Sequence, residues 1–118
     1  MTGQEHILIV EDQILLGMML QDVLEELGYR ASMVSHVGEA LAFVETNCPT
    51  AAILDINLGD EDSYPVARVL RDKSIPFMFT SGYSGGNLPE EFRGQRTVQK
   101  PYLPHVISGQ LSGLLQGR

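Results

Sequence analysis

A chain of 118 residues with 43% hydrophobic residues has the size and composition of one globular domain, which excludes a disordered or fibrous protein. Its net charge of −7 and its lack of a Lys/Arg cluster disfavour direct binding to nucleic acid, and its apolar runs are too short to cross a membrane. The single cysteine, Cys48, excludes an internal disulfide, and the N-terminus lacks the features of a signal peptide, so we expect a cytoplasmic location.

Five short stretches, taken in chain order, predict the strands of a parallel sheet. They cover residues 7–10, 30–34, 51–54, 76–79 and 96–99. The first, third and fourth are apolar on both faces, which is typical of central strands that helices cover on both sides.

Four amphipathic segments alternate with these strands and predict helices at residues 13–27, 37–46, 65–71 and 103–115. The apolar stripe of the first helix comprises Leu16, Leu20, Val23, Leu24 and Leu27, and that of the last comprises Leu103, Ile107, Leu111 and Leu114. Three further residues widen the stripe of the first helix and are expected to cover the sheet: Leu15, Met18 and Met19. Segment 81–94 contains four glycines and one proline, so it predicts no more than a short helix. The alternation of strand and helix predicts an α/β fold.

Acidic, hydroxyl and amine side chains follow the predicted strands at the points where each strand ends. They are Glu11 and Asp12 after the first strand, Asp55 after the third, Thr80 and Ser81 after the fourth, and Lys100 after the fifth. Parallel strands joined by right-handed crossovers end at the same edge of a sheet, so we expect these side chains to surround one cavity. Two carboxylates about 4 Å apart repel each other by roughly 4 kcal/mol at an effective dielectric of 20, so either one takes up a proton or a divalent cation binds. The oxygen-only ligands favour Mg²⁺, with Mn²⁺ as a substitute, over zinc.

Four segments at the strand ends carry a family resemblance. They are Ile-Leu-Ile-Val-Glu-Asp (7–12), Ile-Leu-Asp-Ile-Asn-Leu (53–58), Phe-Thr-Ser-Gly-Tyr (79–83) and Lys-Pro-Tyr (100–102). In this order and spacing they make the chain resemble the receiver domain of a two-component response regulator. The last two segments resemble a subgroup of single-domain receivers with a Phe-Ala-Thr-Gly-Tyr signature. The resemblance implies one receiver domain over residues 1–118, folded as a flavodoxin-like three-layer sandwich with a five-stranded parallel sheet in the order 2-1-3-4-5.

The resemblance also implies a function in a phosphorelay. Asp55 would accept a phosphoryl group from a histidine kinase or a histidine phosphotransfer protein, and the modified chain would change its affinity for a downstream protein target. The Mg²⁺ ligands would be Glu11, Asp12, Asp55 and the backbone carbonyl of Asn57. The phosphoryl group would be held by the Thr80 hydroxyl, the Ser81 backbone N–H and Lys100. Such a receiver assists its own phosphoryl transfer and dephosphorylation but is not a dedicated enzyme.

The sequence departs from the family pattern at the residue that usually switches conformation and on two helix surfaces, whereas Asp55 fits the pattern. Thr97 stands three residues before Lys100, where the family usually has an aromatic residue, and we hypothesise that Tyr83 or Tyr102 replaces it. The first helix serves as a kinase-docking face in the family, which is the alternative role for its extra apolar residues. The last helix has a polar, uncharged face, for which exposure to solvent is favoured over a homodimer or partner surface.

Other functions stay open as alternatives. The chain is either a stand-alone receiver or a fragment of a larger regulator or hybrid kinase, and a phosphate sink is the alternative to a switch. An aspartyl-phosphate phosphatase would need a second carboxylate two residues after Asp55, where Asn57 stands. A flavin or nucleotide binder would need a glycine- or hydroxyl-rich loop where Glu11 and Asp12 stand. The complete acidic set disfavours a scaffold that is never phosphorylated.

Overall fold

The computed structural model describes residues 5–82 and 88–117. Within these residues the elements in chain order are β1 (His6–Val10), α1 (Ile14–Glu26), β2 (Arg30–Val34), α2 (Val37–Thr46), β3 (Ala51–Asp55), β4 (Asn57–Leu58), β5 (Glu61–Asp62), α3 (Tyr64–Asp72), β6 (Phe77–Ser81), a single 3₁₀ turn (Glu90–Phe92), β7 (Thr97–Gln99) and α4 (Pro104–Gln116). The five predicted strands and four predicted helices are therefore confirmed, with ends that differ by at most two residues.

The main sheet has five parallel strands in the order β2-β1-β3-β6-β7. The short strands β4 and β5 form a separate antiparallel hairpin, so the order of the main sheet is the predicted 2-1-3-4-5. The register places Asp55 of β3 beside Thr80 of β6, and Thr80 beside Val98 of β7. The C-terminal ends of these strands consequently lie at one edge of the sheet.

The core has two layers because successive strand residues point to opposite faces of the sheet. Leu8 and Val10 pack with α2 and α3 on one face, whereas Ile7 and Ile9 pack with α1 and α4 on the other. The two helix layers around one sheet confirm the predicted three-layer sandwich. No helix within the described residues is both long enough and apolar enough to span a bilayer.

A single 3₁₀ turn lies between β6 and β7 in the described part of the chain, in line with the prediction of a short helix there. Phe92 in this turn is 2% exposed and contacts the rings of Tyr64, Phe77 and Phe79. Glu91 beside it forms ion pairs with Arg68 and Arg71 of α3. One buried aromatic residue thus fastens this turn to the core.

Several apolar residues are more exposed than the periodicity predicts. Leu27 follows the end of α1 and is 58% exposed, and Leu103 precedes α4 and is 62% exposed, with Leu115 taking a buried position instead. The expectation that Leu15, Met18 and Met19 cover the sheet is wrong, because they are 82%, 48% and 40% exposed. The residues of α1 that are fully buried form a narrow stripe: Gly17, Leu20 and Leu24. Side chains one position away are turned by about 100° around the helix and face solvent.

Candidate functional site

The strand ends bring the predicted site residues to one edge of the sheet. Asp55 is the last residue of β3, Glu11 and Asp12 follow β1, Thr80 and Ser81 end β6, and Lys100 follows β7. Four of these residues are buried: Glu11, Asp55, Thr80 and Ser81. The structure therefore assembles a polar pocket at the carboxyl edge, where open α/β sheets place their ligands.

Lys100 joins two of the acids. Its Nζ lies 2.9 Å from Glu11 Oε1 and 3.0 Å from Asp55 Oδ2. The Lys100 backbone N–H donates to the carbonyl oxygen of Ser81 at 2.6 Å, which ties the start of the Lys100 segment to the end of β6. Burial alone would lower the pKa of Lys100, but the adjacent Glu11 and Asp55 carboxylates outweigh it and raise that pKa. The ammonium group is therefore held in its charged form.

Glu11 is the most deeply buried carboxylate of the pocket, with 2% of the residue exposed. Its Oε2 accepts a hydrogen bond from the Gln13 backbone N–H at 3.0 Å, at the start of α1. Burial and the nearby Asp55 raise the pKa of Glu11 to about 7, against the opposing effect of the Gln13 and Lys100 hydrogen bonds. One ammonium group for two buried carboxylates leaves one negative charge uncompensated, and this charge favours a proton or a cation.

The third acid, Asp12, is exposed, yet one of its carboxylate oxygens lies close to those of Glu11 and Asp55. One carboxylate oxygen each from Glu11, Asp12 and Asp55 lies within 4.8 Å of the other two. Mg²⁺ binds oxygens at about 2.1 Å, so two ligands on opposite sides of the ion are about 4.2 Å apart. Small side-chain movements would bring the three oxygens into that range. The set contains no sulfur or nitrogen ligand, which suits Mg²⁺ or Mn²⁺.

The backbone after Asp55 is held by hydrogen bonds on both sides. The Asn57 N–H donates to Asp55 Oδ1 at 3.3 Å, and the Ile56 N–H donates to the Thr80 carbonyl at 2.9 Å. The Ser63 N–H in turn donates to the Ile56 carbonyl at 2.9 Å. Asn57 begins the β4–β5 hairpin, which the sequence did not predict, and the hairpin fixes where the backbone of Asn57 passes the Asp55 carboxylate.

Gln13, near the pocket, gains importance only from the structure. Gln13 contacts Glu11 through its backbone, and it lines a cavity of about 550 Å³ together with Lys100 and Tyr102. The feature of the sequence that could have indicated Gln13 is its position immediately after Asp12, at the start of a predicted helix. Tyr83, the other tyrosine considered as a switch residue, lies outside the described residues.

A family model supports the same interpretation. The description "Response regulator receiver domain" matches residues 7–102 of the chain. This chain belongs to the response regulator receiver family. Receivers of this family are modules of two-component signalling, and the pocket at the strand ends is the acidic pocket of this receiver.

Relatives with solved structures cover this receiver almost completely. SdrG from Sphingomonas melonis Fr1 is 43% identical, with a TM-score of 0.82 over 98% of this chain and 99% of that chain. A CheY-like receiver domain protein from Methanospirillum hungatei JF-1 is 21% identical with a TM-score of 0.83, covers 98% of this chain and 96% of that chain, and supports the fold alone.

Curated relatives are longer proteins. The transcriptional regulatory protein BaeR of Escherichia coli O6:H1 is 29% identical over 94% of this chain and 48% of its own length. The alkaline phosphatase synthesis transcriptional regulatory protein PhoP of Bacillus subtilis is 29% identical over 95% of this chain and 49% of its own length. The receiver thus spans about half the length of the curated relatives it matches.

Proposed function

We propose that this receiver is a phosphorelay switch in which Asp55 accepts a phosphoryl group from a histidine kinase or a histidine phosphotransfer protein. The observation that supports it best is the position of Asp55: a buried carboxylate at the end of a central strand, 3.0 Å from the Lys100 ammonium and beside two further acids. Signalling relatives and the family match support the same class of function.

In this proposal, transfer forms a bond between an Asp55 carboxylate oxygen and phosphorus and breaks the phosphorus–nitrogen bond of phosphohistidine, whose imidazole leaves. Such transfers depend mainly on positioning and on neutralising charge. Mg²⁺, when bound, supplies charge neutralisation next to the transferred group. Its proposed ligands are Glu11, Asp12, Asp55 and the Asn57 carbonyl. Lys100, the Thr80 hydroxyl and the Ser81 N–H are the proposed contacts to the phosphoryl oxygens.

Lys100 has a second task in the unmodified protein. Its ammonium group holds Asp55 and Glu11 through contacts of 3.0 and 2.9 Å, so the acids share one cation before any phosphoryl group arrives. The modified Asp55 carries more negative charge and more acceptor oxygens. Lys100 is then expected to follow the phosphoryl oxygens, which changes the surface around the pocket and with it the affinity for a protein target.

The whole protein that contains these residues has two forms in this proposal. One is a single-domain receiver over residues 1–118 that acts on a downstream protein in the cytoplasm. The other is the receiver part of a longer regulator, because the curated transcriptional regulators are about twice as long as this chain. The net charge of −7 disfavours direct DNA contact by these residues in either form. A homodimer and a phosphate sink stay as alternatives to be tested by oligomeric state and partner binding.

Labelling with acetyl phosphate and Mg²⁺ tests the proposal. We expect a hydroxylamine-labile phosphoryl adduct on Asp55, detected by mass spectrometry of the intact protein and of its peptides. Asp55→Asn should abolish the adduct, and a chelator should prevent its formation. Asp60→Asn, which changes an exposed acid in the neighbouring turn, is the matched control and should label as the wild type does. An adduct that persists in Asp55→Asn would show that another residue is the acceptor.

A further inference from the structure

Tyr102 carries a buried hydroxyl that has no hydrogen-bond partner among the described residues. Its hydroxyl is inaccessible to solvent and makes no hydrogen bond within residues 5–82 and 88–117. Its ring packs against the core layer that α1 and α4 cover. A buried hydroxyl that has lost its hydrogen bonds to water and gained none is destabilising, and such groups in native proteins are rare. The tyrosine is therefore placed for a hydrogen-bond acceptor that the described residues do not supply.

The surroundings of Tyr102 define the chemistry of that missing partner. Tyr102 lies two residues after Lys100 and lines the cavity of about 550 Å³ with Lys100, Gly82 and Gln13. Burial, followed by the negative charges of Glu11 and Asp55, raises the pKa of the phenol well above its ordinary value. The phenol consequently keeps its proton and acts as a donor. The partner that it lacks is an acceptor near the acidic pocket.

We propose that Tyr102 binds the phosphoryl group on Asp55 by donating its hydroxyl to a phosphoryl oxygen. This inference rests on the proposed function, because the acceptor exists only after Asp55 is modified. A phosphoryl group brings three strong acceptor oxygens to Asp55, whose carboxylate contacts Lys100, and Tyr102 lines the same cavity as Lys100. The hydrogen bond would replace an unpaired hydroxyl with a charge-assisted contact, so it favours the modified state over the unmodified one.

The same hydrogen bond explains how the receiver responds without an aromatic residue at position 97. Thr97 is exposed and its hydroxyl donates to the Gln95 carbonyl at 3.0 Å, on the edge strand β7. Tyr102 instead shares its cavity with Leu16 and Met19 of α1. A change in the orientation of the Tyr102 ring alters the floor of that cavity. The phosphorylation signal therefore reaches the surface of α1.

Tyr102→Phe tests the proposal because it keeps the ring and removes only the hydroxyl. Tyr29→Phe is the matched control, since Tyr29 packs against the same core layer but precedes β2 at the opposite edge of the sheet. The probe is beryllofluoride with Mg²⁺, which mimics the phosphoryl group on Asp55. We expect unmodified Tyr102→Phe to be at least as stable as the wild type towards urea. Its affinity for beryllofluoride should fall about tenfold or more, the loss expected for one hydrogen bond to a charged group.

A second measurement separates the hydrogen bond from a packing role. The ¹³Cζ resonance of Tyr102 in the wild type, assigned by its loss in Tyr102→Phe, should shift when beryllofluoride binds, whereas the resonance of Tyr29 should not. Equal beryllofluoride affinity in Tyr102→Phe and the wild type, or an unmoved Tyr102 resonance, would overturn the inference while leaving Asp55 as the acceptor. A wild-type protein that neither binds beryllofluoride nor labels on Asp55 would overturn the proposed function and this inference with it.

Discussion

Glu11 shows how a single buried acid can set the charge state of the pocket. The carboxylate is 2% exposed, and its pKa is raised to about 7 mainly by burial. Lys100 supplies one positive charge for Glu11 and Asp55 together. A proton on Glu11 or a divalent cation completes the balance, so the two compete for the same oxygen atoms near neutral pH.

This competition predicts pH-dependent metal binding. Mg²⁺ affinity, measured by isothermal titration calorimetry, should rise about tenfold from pH 6 to pH 8 as the Glu11 carboxyl, with its pKa near 7, loses its proton. Glu11→Gln should bind Mg²⁺ more weakly and with little dependence on pH. An equally steep pH dependence in Glu11→Gln would assign the proton to another group.

The stability of the metal-free protein should change in the opposite direction. The folded protein holds the Glu11 proton more tightly than the unfolded chain, because the pKa rises from 4.5 to about 7 on folding. The resulting stability is fully present below about pH 4.5 and is lost as the pH rises through 7, by up to about 3 kcal/mol. Urea unfolding with a chelator at pH 5.5 and pH 8 measures this loss, and Glu11→Gln should remove most of it.

Much of the pocket follows from sequence because strand ends are easy to locate in apolar runs. Asp55 and Lys100 were placed together from their positions after predicted strands, and the structure brings their charged groups to 3.0 Å. The difference between buried Glu11 and exposed Asp12 could not be predicted, since it depends on the direction in which each side chain leaves the strand end. Their roles as ligands stay predictions until metal binding is measured.

At the scale of elements, the contact between α1 and β2 depends on a glycine that has no side chain to occupy the space between them. Gly17 is buried in α1, and a Cβ atom added there would overlap the Met33 sulfur of β2. Gly17→Ala should therefore destabilise the fold by about 1–3 kcal/mol in urea unfolding, although alanine is the better helix former. Met33 is partly buried, but it packs against the core layer that α1 and α4 cover, so we expect its displacement to cost more than the gain in helix propensity.

A double-mutant cycle separates this clash from other effects of the new methyl group. Met33→Ala removes the sulfur, so Gly17→Ala in the Met33→Ala background should cost much less and become neutral or stabilising. Gly38→Ala is a matched control in α2, because a Cβ atom there would meet open space. Equal costs of Gly17→Ala in both backgrounds would contradict the proposed contact.

Long secondary-structure elements could be predicted from the sequence, whereas very short ones could not. The ends of residues 37–46 and 30–34 agree with the structure, and for 37–46 the reason is that its apolar residues recur at helical spacing. The β4–β5 hairpin was missed because two-residue strands have no period. The burial of Phe92 depends on rings from α3 and β6 that are distant in sequence, and local composition alone does not indicate it.

At the scale of the whole molecule, the receiver combines a sheet that helices cover on both faces with an exposed apolar surface at the start of α1. Ile14, Leu15, Met18 and Met19 are all at least 40% exposed, and they begin directly beside the acidic pocket. In the proposed function, a donor protein brings its phosphohistidine to Asp55 and therefore has to cover this edge of the receiver. The apolar surface at the start of α1 is expected to be part of that contact. Transfer from a protein therefore depends on this surface, whereas transfer from a small phosphodonor does not.

Leu15→Glu separates docking from chemistry. Leu15 is 82% exposed, so the change should leave urea unfolding and labelling by acetyl phosphate unaltered. The donor is the phosphorylated histidine kinase of the same genome that reacts fastest with the wild type. Phosphoryl transfer from this kinase to Leu15→Glu should slow about tenfold or more, because the substitution places a charge in an apolar contact. Leu27→Glu is the matched control, since Leu27 is 58% exposed and lies roughly 18 Å farther along the helix axis, towards the opposite edge of the sheet. Equal slowing in both variants would point to net charge rather than docking, and unchanged transfer to Leu15→Glu would place the donor on another surface.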